Sequence, residues 1–120
     1  MHEESILTTI KQLVGIDEAC KDFDTDIIIH INNVFSTLLD LGVKTKEDFF
    51  ITDEDAVWTD FLDDVSLINR IISYTYLKVK LAFDPPQSSS VAKSMENMAN
   101  QAEWRINVAV DPGKGEAQND

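Results

Sequence analysis

The sequence predicts an all-α fold: a small bundle of about four main helices, with a short irregular acidic segment between the second and third. Three observations predict it. Four stretches carry apolar residues at helical spacing for more than two turns. Their ends are punctuated by Gly15, Gly42, Asp84-Pro85-Pro86 and Asp111-Pro112-Gly113. One stretch between the second and third of them, residues 43–64, loses the period and is the densest in acidic residues, with Phe49, Phe50, Trp58 and Phe61 interspersed.

The first helix is expected over Glu3 to Val14. Ile6, Leu7, Ile10, Leu13 and Val14 fall on one face, and Glu3 and Glu4 suit the positive N-terminal end. Gly15 stops it. Ile16 and Phe23, in the polar connection that follows, are expected to plug the core. The second helix should begin with Asp24 or Thr25 as N-cap and end near Leu41. Ile27, Ile28, Ile31, Val34, Phe35, Leu38 and Leu39 mark its inner face. The short connection makes the first two helices an antiparallel hairpin.

In the acidic segment, Phe49-Phe50-Ile51 reads as a short extended piece. Asp53-Glu54-Asp55-Ala56 reads as the opening of one helical turn, and Trp58, Phe61 and Leu62 as a lid on the core. The third main helix is expected over Val65 to Phe83. Leu67, Ile68, Ile71, Ile72, Thr75, Leu77 or Val79, and Phe83 line it, with Tyr74, Tyr76 and Leu81 off that line. A helix apolar on most faces belongs at the centre of a domain or at a subunit contact. Pro85 and Pro86 end it. The fourth starts at Ser88-Ser89-Ser90 and runs to Val110, on the order of 30 Å. Val91, Met95, Met98, Ala102, Ile106 and Ala109 form its expected inner stripe, and Trp104 and Val108 a second, narrower one. Two stripes on one helix call for a neighbour beyond its own bundle. Residues 1–110 thus read as one helical domain and 111–120 as a flexible C-terminal tail.

The chain has 120 residues, 43% of them hydrophobic, enough for a real core. It has no apolar run long enough to span a bilayer and opens on acidic rather than basic residues, so a cytoplasmic protein is expected. The single cysteine, Cys20, fits a reducing compartment. The net charge of −12 is uneven. Residues 1–64 hold sixteen acids against four lysines, whereas residues 65–110 hold three acids against five bases. Such an acidic half is a solubilising surface, or one that must not adhere to DNA, because phosphate contacts come from Lys and Arg.

No catalytic or metal signature stands out. His2 and His30 are the only histidines, far apart and far from Cys20, which makes a poor zinc set. An EF-hand loop counted from Asp53 places Val57 and Trp58 where an oxygen ligand and a glycine are needed. Pro112-Gly113-Lys114-Gly115 lacks phosphate-loop spacing. The sequence therefore predicts no enzyme, no cofactor and no metal. Trp58 reads as core. Trp104, between Glu103 and Arg105 and off the main stripe, reads either as core or as an interface anchor.

Several words of the chain occur together in a known order. They are Tyr76-Leu77-Lys78-Val79-Lys80-Leu81-Ala82-Phe83-Asp84-Pro85-Pro86 and Glu103-Trp104-Arg105-Ile106-Asn107-Val108-Ala109-Val110-Asp111-Pro112. Glu4-Ser5-Ile6-Leu7, Asp26-Ile27-Ile28-Ile29-His30-Ile31-Asn32 and Trp58-Thr59-Asp60-Phe61 accompany them. The sequence thereby resembles the head–tail connector (adaptor, head-completion) proteins of long-tailed bacteriophages and prophages. The resemblance implies a structural all-α protein that assembles as a ring beneath the portal. It implies an extended DNA channel and a platform for the next neck stopper or tail protein. The partners so implied are further copies of the chain, the portal, that downstream protein and passing DNA without specific binding, with no membrane. The implied location is the virion neck, after assembly in the host bacterial cytoplasm. In such relatives the end after the last helix reaches the portal, which falls here on Asp111–Asp120. In this frame Asp53, Glu54 and Asp55 are candidate channel-facing acids. Trp104, Arg105, Val108, Asp111 and Pro112 form the candidate interface. The competing readings are an acidic DNA-mimic inhibitor, favoured by the charge alone, and a small helical regulatory dimer, favoured by the apolar third helix.

Overall fold

The computed structural model describes residues 4–44 and 50–110. Five helices follow one another: α1 (Ile6–Val14), α2 (Asp24–Asp40), α3 (Trp58–Phe61), α4 (Val65–Phe83) and α5 (Ser89–Val110). Among the described residues no strand forms, although an isolated antiparallel bridge joins Ser5 to Val57. The all-α bundle of four main helices is what the sequence folds into, and α3 is a single turn inside the acidic segment.

α1 begins later than expected. Ser5, not Glu3, is its cap, accepting the Thr8 N–H at 3.2 Å, and Glu3 lies outside the described residues. Gly15 ends it in the left-handed region at φ 91°, a conformation that would strain any side chain. The inner face is Ile6, Leu7, Ile10, Val14 and, against the pattern, Lys11; Leu13 points outward and is 46% exposed. At the start of α2, Phe23 occupies the N-cap position and Asp24 is already helical, so the side-chain cap expected of Asp24 or Thr25 is not made. Phe23 is also no core plug. It is exposed and stacks edge-on against Phe83, with ring centroids 5.4 Å apart, while Ile16 packs half-buried on the core. Ile27, Ile31, Val34, Phe35 and Leu38 are buried as the helical period requires. Gly42, at φ 104°, turns the chain away after Leu41.

α4 and α5 have the predicted bounds. Asp64 caps α4 by accepting the Leu67 N–H at 3.1 Å. α4 packs against α1, α2 and α5 and is therefore the central column of the bundle, which explains why it is apolar nearly all round. Tyr74, expected off its main line, is buried along with Ile68, Ile71, Thr75, Leu77 and Val79. α5 is rotated relative to the expected stripe. Ala99 and Ile106 are buried, with Met95 and Ala102 half-buried, whereas Val91, Met98 and Ala109 are exposed. Two polar ties fix that rotation. The Tyr74 hydroxyl donates to the Glu103 carboxylate at 2.9 Å, and the Asn107 amide donates to the Leu41 carbonyl at 2.9 Å.

The acidic segment is packed, not slack. Ile51 is buried and held by both ends of one amide: Asn32 donates to its carbonyl and accepts its N–H, each at 2.9 Å. The residues Asp53-Glu54-Asp55 form a turn rather than a helix start, and the helical turn opens five residues later at Trp58. Trp58, Phe61 and Leu62 close over the core as expected. Phe61 stacks on Phe35 with centroids 4.4 Å apart. Phe50 is exposed, and Glu47, Asp48 and Phe49 lie outside the described residues. The tail expected at residues 111–120 lies outside them too.

Candidate assembly surfaces

Three acids of residues 53–64 accept local backbone hydrogen bonds, and a fourth forms an ion pair. Asp53 accepts the Asp55 N–H at 2.8 Å, which closes the turn. Asp60 accepts the Val57 N–H at 3.1 Å while its own N–H returns to the Val57 carbonyl, so the pair caps α3 in both directions. Asp64 caps α4. Glu54 meets the Lys21 ammonium at 2.8 Å in an exposed ion pair. That hydrogen bond, which Lys21 donates to Glu54, with the charges of Glu54, Asp24 and Glu18 nearby, holds Lys21 above its ordinary pKa. The three sequence-predicted acids, Asp53, Glu54 and Asp55, lie together on an exposed turn.

The predicted interface residues divide. Trp104 is 63% exposed, which removes the core reading for it. Arg105 beside it is exposed and Val108 is half-buried. Asp111 and Pro112 lie outside the described residues. Trp104 stands on an outer surface shared with Asn100, Gln101 and Arg105. Its neighbour Glu103 turns the other way to accept the Tyr74 hydroxyl. Burial, then that carboxylate, pushes the phenol well above its ordinary pKa, so the hydroxyl keeps its donor proton as the solution becomes alkaline.

A second surface was not foreseen. α1 and α4 bound a groove of about 470 Å³. Leu13 and Ile72 give it apolar walls, Trp58 lies at its base, and Thr9, Gln12, Asn69 and Ser73 supply polar groups. Glu4 lines it as well. The hydrophobic count along α1 places Leu13 inside, which hides the groove; the inner face takes Lys11 instead.

His30 packs edge-on to Phe83, with centroids 6.4 Å apart, and lines a small cleft with Asn33, Lys78 and Ala82. The Cys20 carbonyl is tied to Lys11. Among the described residues no group of three or more His, Cys, Asp or Glu side chains is placed to hold a metal ion. No helix there is long and apolar enough to cross a membrane.

These features define a class: a small helical structural domain whose surfaces, rather than any enclosed cavity, carry its distinctive residues. The family described as phage connector protein matches residues 6–113, and the chain belongs to that family. Its role is that of a structural connector of the phage neck. Comparison with curated proteins and with solved structures found no match.

Proposed function

We propose that the chain assembles as a ring beneath the portal, extends the DNA channel and presents a platform for the neck stopper or tail protein that follows. It does this in the virion neck and performs no catalytic step. The observation that carries the reading is the family match over residues 6–113. The exposed Trp104 on an all-α bundle supports it, since such a residue serves an assembling subunit better than a solitary one. DNA passes without being gripped. The DNA-mimic reading is weaker, because Asp53, Asp60 and Asp64 are spent on backbone caps rather than arrayed toward a basic partner.

The test is a mixing experiment with the portal encoded in the same genome. Full-length protein and portal are run separately and together by light scattering and negative-stain microscopy. A ring of added density at one end of the portal is the expected result. An intact portal that gains nothing across salt and protein concentration would sink the proposal.

Within that ring we place the turn at Asp53, Glu54 and Asp55 toward the channel, where like charge keeps phosphates from adhering. Replacing all three by Lys should slow DNA packaging or ejection, increasingly so at low ionic strength. Ejection from particles carrying the triple variant, timed at two salt concentrations, checks it; wild-type kinetics at both would move these acids to the outside of the ring.

A further inference from the structure

We propose that neighbouring copies join head to tail by a knob and a groove: Trp104 of one copy seats in the cleft between α1 and α4 of the next. This contact rests on the ring reading above and gives it a surface.

Trp104 cannot serve its own core. At about 100° per residue it points roughly 140° away from the buried Ala99 on the same helix. An indole left 63% exposed on a helix whose inner face is already satisfied is the residue type that most often anchors an interface. The groove offers what an indole needs. Its volume of about 470 Å³ lies within the roughly 300–1,000 Å³ of clefts that enclose drug-sized molecules, and an indole is smaller than those. Leu13, 46% exposed on the wall, is an apolar surface without a covering group in the bundle. Gln12 and Asn69 carry side-chain carbonyls on the lining that can accept the indole N–H.

Charge selects a second copy of this chain as the occupant. Arg105 follows Trp104, and Glu4 is among the residues that line the groove. The groove's α4 wall lies in residues 65–110, as the knob does, so the complementary pair is Arg105 on one copy and Glu4 on the next. Opposed charges of this kind orient an encounter and disfavour the reverse approach. The two surfaces share no lining residue. A contact between different patches of identical chains is heterologous, so it propagates and closes into a ring when the rotation per copy allows.

Two variants test it: Trp104→Ala removes the knob, and Leu13→Arg blocks the groove. Both positions are exposed, so circular dichroism should match the wild type. Sedimentation velocity and negative-stain microscopy are run on full-length proteins, with and without portal, at concentrations where the wild type assembles. Each variant alone should assemble at least about tenfold more weakly. An equimolar mixture should yield a one-to-one heterodimer and no ring, because one knob and one groove remain intact and the other ends are disabled. Variants that form rings like the wild type overturn the contact and leave the ring standing. Variants that form rings yet no longer join the portal overturn it too, and make Trp104 a portal anchor. A mixture that stays monomeric rules out the pairing of these two surfaces. A wild type that associates under no condition removes the ring reading, and this contact with it.

Discussion

Trp58→Ala should lower the stability of the domain by about 3–5 kcal/mol, a large part of the roughly 5–15 kcal/mol that holds a domain of this size together. Trp58 is fully buried. Its ring meets Phe35 edge-on, with centroids 6.3 Å apart, and Phe35 in turn stacks on Phe61. Its indole N–H donates to the Thr9 hydroxyl at 3.2 Å, which donates onward to the Ser5 carbonyl at 2.8 Å. One side chain thus joins α1, α2 and α3, and the acidic turn hangs from that junction. Alanine leaves a cavity where an indole stood, too central for the three helices to collapse into. Trp58→Phe keeps most of the packing and loses the hydrogen bond, so about 1–2 kcal/mol is expected there. Urea unfolding followed by circular dichroism measures both. Amide exchange should accelerate from Ile51 to Val57 in the alanine variant before the rest of the chain. A loss under 1 kcal/mol for Trp58→Ala would mean that Phe35 and Phe61 hold the segment by themselves.

The helices were legible where two signals agreed. At α4, an apolar period and the Asp84-Pro85-Pro86 stop coincide, and its bounds emerged residue for residue. α5 had bounds as clear, yet its inner stripe was misplaced. Counting large apolar residues selects Val91 and Met98, but the position packed against α4 is Ala99, 3% exposed. Where two helices lie close, a small side chain is what fits, and hydrophobicity alone does not register that. The same error hid the groove. α1 was phased on Leu13, whereas its inner face takes Lys11, and a lysine in a core is invisible to any rule that sorts residues by polarity. Phe23 shows the reverse: an aromatic next to a helix start reads as core, but its partner Phe83 lies at the bundle's rim. In the acidic segment the lid of Trp58, Phe61 and Leu62 was legible from composition. The turn that presents Asp53, Glu54 and Asp55 was not, because it depends on Asn32 gripping Ile51 from nineteen positions away. Trp104 was found by its departure from the stripe, and its exposure follows from the same helical phase that buries Ala99.

Lys11→Met should cost about 3 kcal/mol even though it replaces a charge by an apolar group of similar length. Lys11 is 1% exposed. Its ammonium meets the Asp24 carboxylate at 2.7 Å and donates to the carbonyls of Glu18, at 3.1 Å, and Cys20. The connection between α1 and α2 is closed around this one group. Methionine fills the channel of the lysine stem but leaves two carbonyls without their donor, and a carboxylate only 22% exposed without its counter-charge. Asp24→Asn should cost less, because the ammonium keeps its two carbonyls and gains an amide oxygen in place of the carboxylate. The double variant is the decisive member of the set. If the penalty of Lys11→Met comes from the orphaned carboxylate, adding Asp24→Asn should recover about 1 kcal/mol or more. If the lost carbonyl contacts dominate, the two penalties simply add. In either case, faster amide exchange should begin in residues 16–23, and α1 should loosen from α2 before α4 and α5 separate. Because α1 supplies Thr9, Gln12 and Leu13 to the groove, a chain loosened there should also assemble less well than its residual helicity predicts. A Lys11→Met protein as stable as the wild type would show instead that the ammonium's desolvation had cancelled its contacts all along.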